Sequence, residues 1–146
     1  MCNLNTNTWY RVFLSYGHLD GFLVDRLKEQ IEAITGVFVF LDINEIEFGD
    51  AFRQKIIQEL SQTDELLVML SPSSIKRSWI YAEIGAALAL NKRIVGLMHG
   101  IGVEELQQNG ALSLFGDRHH IFDPRTELTS YLNQLKDRSE AKAGTV

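Results

Sequence analysis

The chain alternates between short, mostly apolar runs and longer stretches in which apolar residues recur every three or four positions. Tyr10–Tyr16 is the first such run and predicts a strand. Leu23, Leu27, Ile31 and Ile34 follow at i, i+4, i+8 and i+11, the stripe of a helix with one buried face. Asp20 is placed to cap that helix, and Gly36 to end it in a left-handed turn. Val37–Leu41 predicts a second strand from its β-branched and aromatic residues. Asp42–Asp50 is polar and reads as a loop, after which Phe52, Ile56 and Leu60 mark the next helical stripe. Leu66–Leu70 predicts a third strand, broken by Ser71-Pro72-Ser73-Ser74. Trp79–Leu90 reads as a helix, Ile94–Met98 as a fourth strand and His120–Phe122 as a short fifth. Leu128, Leu132 and Leu135 mark a last helix, and from Lys136 onward the chain turns polar and is expected to fray.

Strands that alternate with helices predict a parallel sheet covered by helices on both faces. Five strands suit the flavodoxin-like order 2-1-3-4-5, in which ligands bind beyond the C-terminal ends of the strands, where strands one and three diverge. The loops at that crevice are Ser15–Asp20 and Ser71–Ser78. With 146 residues, one domain is expected: an N-terminal tail over 1–9, the folded unit over 10–136, and a polar tail or linker over 137–146.

Composition narrows the functional classes. A net charge of −5 and a pI near 5.3 speak against non-specific nucleic-acid or anionic-membrane binding, which needs basic patches. No apolar run approaches the ~20 residues that span a bilayer. Met1–Asn7 lacks the basic and apolar regions of a signal peptide, and the single Cys2 has no internal partner for a disulfide. A reduced, cytoplasmic setting is therefore expected. His119-His120 alone do not make a zinc site, so no metal is expected. No phosphate-binding glycine motif of the Walker or GxGxxG type is present, so neither ATP nor a resident redox nucleotide is expected.

Glu83 is the candidate for chemistry. It follows Trp79 by four positions, so the indole and the carboxylate share one helical face. The rest of that helix is almost entirely apolar, and a carboxylate there costs free energy unless it has a partner or a task. The helix also begins where the crevice loop ends. A solvated helix residue is the plainer reading of Glu83, and a core aromatic the plainer reading of Trp79.

Val12-Phe13-Leu14-Ser15-Tyr16, Val39-Phe40-Leu41-Asp42, Gly49, Leu70-Ser71-Pro72 and Ser78-Trp79-x-x-x-Glu83 stand in an order and spacing that resembles a Toll/interleukin-1 receptor (TIR) domain. The match runs from about Tyr10 to Met98, and the C-terminal third fits more weakly. Animal signalling members carry a basic-proline-glycine signature after strand two and a Phe-Trp pair near the end. Here those places read Ile43-Asn44-Glu45-Ile46-Glu47-Phe48-Gly49 and Ile121-Phe122-Asp123, which favours the bacterial, enzyme-type branch.

The resemblance implies that Glu83 is catalytic for cleavage of the bond between nicotinamide and ribose in NAD, releasing nicotinamide with linear or cyclic ADP-ribose. NAD is then a substrate, with no cofactor. It also implies a role in bacterial antiphage defence, self-association into a homo-oligomer or filament, and active sites completed by a neighbouring copy. The loop Asp42–Asp50 is the expected contact, with Ile46 and Phe48 as apolar anchors. No sensor segment is recognisable, which leaves activation to another protein, a lost domain or assembly.

Trp79 and Tyr16 are expected to wall the nicotinamide or its ribose. Ser15, Tyr16, Gly17 and His18 offer hydroxyls, an open backbone and a cation near phosphate, and Asp42 a hold on a ribose hydroxyl. Plainer readings remain beside these: Ser15, Ser71 and Asp42 as turn formers, His18 as an exposed loop residue, and Lys76-Arg77 and Lys92-Arg93 as solvated charge. A non-catalytic TIR scaffold is the competing function. A phosphorylated receiver fails, because Ser15-Tyr16 and Ser71-Pro72 stand where it needs acids. A nucleoside deoxyribosyltransferase-like enzyme is a distant third.

Overall fold

The computed structural model describes residues 8–41, 52–108, 110 and 121–144, and of residues 18, 52 and 53 the backbone alone. The alternation of the sequence is realised as β1 (Tyr10–Ser15), α1 (Gly21–Glu32), β2 (Val37–Leu41), α2 (Phe52–Ser61), β3 (Glu65–Leu70), α3 (Ser78–Ala89), β4 (Arg93–Met98), α4 (Val103–Gln108), β5 (Ile121–Phe122) and α5 (Pro124–Gly144). The five strands are parallel in the order β2-β1-β3-β4-β5. This is the flavodoxin-like order expected from the strand count.

Because successive strand residues point to opposite faces, each strand feeds two cores. Val12 and Leu14, Leu67 and Met69, and Leu97 pack beneath α1 and α5, against Val24, Leu27, Ile31, Tyr131 and Leu135. Phe13, Leu66, Val68, Leu70 and Ile94 face the other way and meet Leu60 of α2, Ile80, Ile84 and Ala87 of α3, and Leu106 of α4. The all-buried β3 lies at the centre, where parallel strands are covered on both sides.

Several expectations change in detail. β1 ends at Ser15, leaving Tyr16 to the loop. α1 ends at Glu32, so Gly36, with φ of +84°, serves the turn into β2 and does not cap the helix. The buried stripe of α1 gains Val24, with Leu23 and Ile34 half-buried against it. Asp20 makes no side-chain cap on α1, since its carboxylate is used elsewhere. The one-and-a-half turns of α4 were not foreseen, because Val103 and Leu106 are too few apolar positions to set a period.

The largest change concerns the polar stretch after Lys136, which continues α5 to Gly144 and does not fray. Ser139 is buried, Lys142 Nζ donates to Asp64 and to the Trp9 carbonyl at 2.8 Å each, and Arg138 Nη2 stands 2.8 Å from Glu65 Oε1. Charged side chains make this docking, so hydrophobic periodicity could not reveal it.

Candidate functional site

The two loops of the expected crevice are tied to one another. Ser71 Oγ donates to Asp20 Oδ2 at 2.6 Å, and Gly17 N donates to the same oxygen at 3.3 Å. Ser71 Oγ in turn accepts from Ser74 N, while Ser74 Oγ accepts from Ser71 N and donates to the Met69 carbonyl at 2.6 Å. Arg77 Nη1 donates to the Tyr16 carbonyl, closing the clamp from the far end of the second loop. Tyr81 Oη donates to the Ile75 carbonyl at 2.9 Å and fixes the start of α3 to that loop. Bonds to an ionised acceptor are the stronger kind, so Asp20 anchors the set.

Gly17 is required by this closeness. A Cβ at that position would stand 2.5 Å from Ser73 Oγ and 2.9 Å from the Ser74 backbone nitrogen. The serine hydroxyl can turn away, but the backbone cannot. Gly17→Ala is therefore expected to lower stability by about 1–3 kcal/mol through overpacking, read as a lower denaturant midpoint at unchanged m-value. An unchanged midpoint would show that the two loops separate freely.

Glu83 lies on α3 within the inward stripe Ile80, Ile84, Ala87, and is fully buried. Both of its carboxylate oxygens are shielded from solvent. Trp79, in the first turn, is half-buried and about 6 Å nearer the strand ends along the helix axis. Ser15, the last residue of β1, follows Phe13 by two positions and so points to the same side of the sheet as α3. It is fully buried, and its Oγ has no hydrogen-bond partner among the described residues. Glu83, Trp79 and Ser15 thus belong to one side of the sheet, at the β1 and β3 ends.

Tyr16 goes elsewhere. It packs against the core beneath α1 and α5, on the opposite side of the sheet from Glu83, and its backbone carbonyl is the part used in the crevice. Ser71 is a buried tie between loops, in keeping with the plainer reading of it. Gly17 is at the crevice, His18 is described by its backbone alone, and Asp42, Ile46 and Phe48 lie outside the described residues. Sequence reasoning missed Asp20 as the link between the loops. Its only signal was a carboxylate in a crevice loop, which served equally well as a helix cap.

A fully buried carboxylate on the same helix as buried Ile80, Ile84 and Ala87 lies in a medium of lower effective dielectric than water, where it influences a nearby positive charge more than it would in water. No group of three or more His, Cys, Asp or Glu among the described residues is placed to hold a metal ion. A cleft of about 600 Å³ opens away from Glu83, between the loop after β4 and the start of α5, with Gly100, Val103 and Pro124 in its walls.

Comparison with known proteins fits this architecture. The TIR domain family model matches residues 12–136. A 2' cyclic ADP-D-ribose synthase, BtTIR, from Bacteroides thetaiotaomicron is 30% identical over 103 residues, covering 66% of this chain and 35% of that protein. The NAD(+) hydrolase TcpC from Escherichia coli O6:H1 (strain CFT073) is 26% identical over 110 residues, covering 71% of this chain and 36% of that protein. The chain therefore spans about a third of the length of these curated relatives. Among solved structures, the RPS4 and RRS1 TIR domain heterodimer superposes with a TM-score of 0.59 at 12% identity, covering 92% of this chain and 97% of that one, which supports the fold.

Proposed function

This chain belongs to the TIR domain family, and from that premise we propose that it cleaves the bond between nicotinamide and ribose in NAD. The observation that carries the reading is Glu83, a fully buried carboxylate one helical turn below Trp79 on the helix that starts from the crevice. Relatives named as an NAD(+) hydrolase and a cyclic ADP-D-ribose synthase support the same substrate.

The chemistry suits a single carboxylate. Conventional glycoside hydrolysis uses two, one of which protonates the leaving oxygen. The nicotinamide of NAD is already cationic and departs as a neutral base, so no general acid is needed. As the C–N bond breaks, positive charge grows on the ribose. Glu83 stabilises that charge through a fixed, desolvated negative group. Ser15 Oγ, on the same side of the sheet and without a hydrogen-bond partner among the described residues, is the hydroxyl available to a ribose oxygen. Attack by water at the ribose carbon gives ADP-ribose and a proton, whereas attack by a group of the same molecule gives a cyclic product.

Within this reading the chain works in bacterial antiphage defence and is activated by self-association through Ile46 and Phe48. The family resemblance of the sequence supports both points. The test is NAD consumption by concentrated protein, with products resolved by chromatography and mass. Nicotinamide release establishes the activity, and the mass of the second product separates hydrolysis from cyclisation. No release, even under crowding that drives assembly, would replace this reading with the non-catalytic scaffold.

A further inference from the structure

On the side of the sheet away from Glu83, a groove of about 420 Å³ runs between α1 and the start of α5. Met69 and Leu97 form its floor, and Leu23, Leu27 and Leu128 its walls. Size and lining are those of a small-molecule site: a concave apolar surface with a few polar groups at its edge. It also lies at the C-terminal ends of β3 and β4, the end of an α/β sheet at which ligands are bound.

The rim is unusual for a chain with a net charge of −5. Arg26, Arg125, His99 and Gln30 border the groove, and none of the described residues that line it is acidic. Arg125 is already engaged by Asp123, which takes bonds from its Nε and Nη2. Arg26 has no hydrogen bond or ion pair among the described residues. Phe22, Arg26 and Gln30 recur at i, i+4 and i+8, so one row of α1 carries an aromatic ring, a cation and an amide donor along the groove. Phe22 is 78% exposed at the mouth, an uncovered apolar surface beside the enclosed one.

We propose that this groove is a binding site for a small amphipathic anion, an apolar body of alkyl or aryl character ending in a carboxylate or similar group that pairs with Arg26. The apolar part covers Met69, Leu97 and Leu128, which supplies the affinity. The guanidinium forms a charge-assisted pair with the anionic end and sets the class of ligand. A neutral molecule of the same shape keeps the first contribution and loses the second. The site stands apart from the NAD reading, because its residues lie on the opposite side of the sheet from Glu83.

The test is calorimetric titration of the full chain with octanoate and with octanamide, which has the same alkyl chain without the charge. One octanoate is expected per chain, with octanamide about three- to fivefold weaker, the upper part of the range for an exposed ion pair. In Arg26→Gln, an exposed change that leaves the packing untouched, the two probes should come within about twofold of each other. Leu128→Trp, which places an indole in the groove, should remove both while the thermal midpoint confirms folding. Equal binding of the two probes by wild type, a preference that survives Arg26→Gln, or no saturable binding would each overturn the proposal. So would a concentration-dependent dimer that Phe22→Ser dissolves without any octanoate binding, which would make this face a contact between copies.

Discussion

Glu83→Gln is expected to lower nicotinamide release by about 10²–10³-fold, the usual loss when a group aimed at developing transition-state charge is removed. Glutamine keeps the size and planarity of the side chain, so Ile80, Ile84 and Ala87 retain their packing. What disappears is the capacity of this shielded side chain to carry a negative charge. The loss should fall on kcat, since the ribose becomes positive only as the C–N bond breaks, and KM should change much less. Turnover under saturating NAD with matched protein concentrations checks this. Equal turnover by both forms would remove Glu83 from the reaction while leaving the activity itself standing.

Glu65→Ala is expected to cost about 3–5 kcal/mol of stability, the range for breaking a buried pair by deleting one partner. Glu65 is fully buried at the start of β3. It accepts from Tyr10 Oη at 2.8 Å and from Tyr131 Oη, and Arg138 Nη2 stands 2.8 Å away, its guanidinium 5.9 Å from the Tyr10 ring centroid. One carboxylate thereby joins β1, β3 and α5. Removing it strands two phenols and a cation together. Against a typical total of ~5–15 kcal/mol, such a loss decides whether the domain stays folded, and denaturant unfolding measures it.

The same cluster sets an alkaline limit. Burial, and then the neighbouring Glu65 charge, push the Tyr10 and Tyr131 phenols above the ordinary tyrosine value. Above pH ~10 the unfolded chain releases protons that the folded chain keeps, so stability falls as pH rises, by about 1.4 kcal/mol per pH unit for each tyrosine. Below that pH neither phenol contributes a slope. Tyr10→Phe should roughly halve the alkaline slope, and a slope equal to that of wild type would show that Tyr10 titrates freely.

Much of the molecule was legible in its pattern. The apolar runs located all five strands of the sheet to within about a residue, and the strand count anticipated their order. Glu83 stood out because a charged residue in an apolar helix is an anomaly visible locally, and it is indeed buried. Tyr16 was misplaced because it was assigned by its nearness to the crevice and not by its face: two positions past Leu14, it follows the alternation of β1 onto the α1 and α5 side. The C-terminal stretch looked like a tail because its anchors are Arg138, Ser139 and Lys142, residue types usually found in solvent.

By itself, the sequence determined which residues point inward, how strands and helices alternate, and where one anomalous carboxylate sits. Each of these is a local property, repeated over neighbouring positions, so period alone encodes it. The tertiary structure alone decided which polar groups meet. Asp20 finds Ser71 across 51 positions, and Glu65 finds Tyr10 and Tyr131 across 55 and 66. No local pattern marks such pairs, because a polar side chain has the same sequence signature whether it ends in water or on a buried partner. The partner is set only when packing has brought distant strands and helices together and taken the water away.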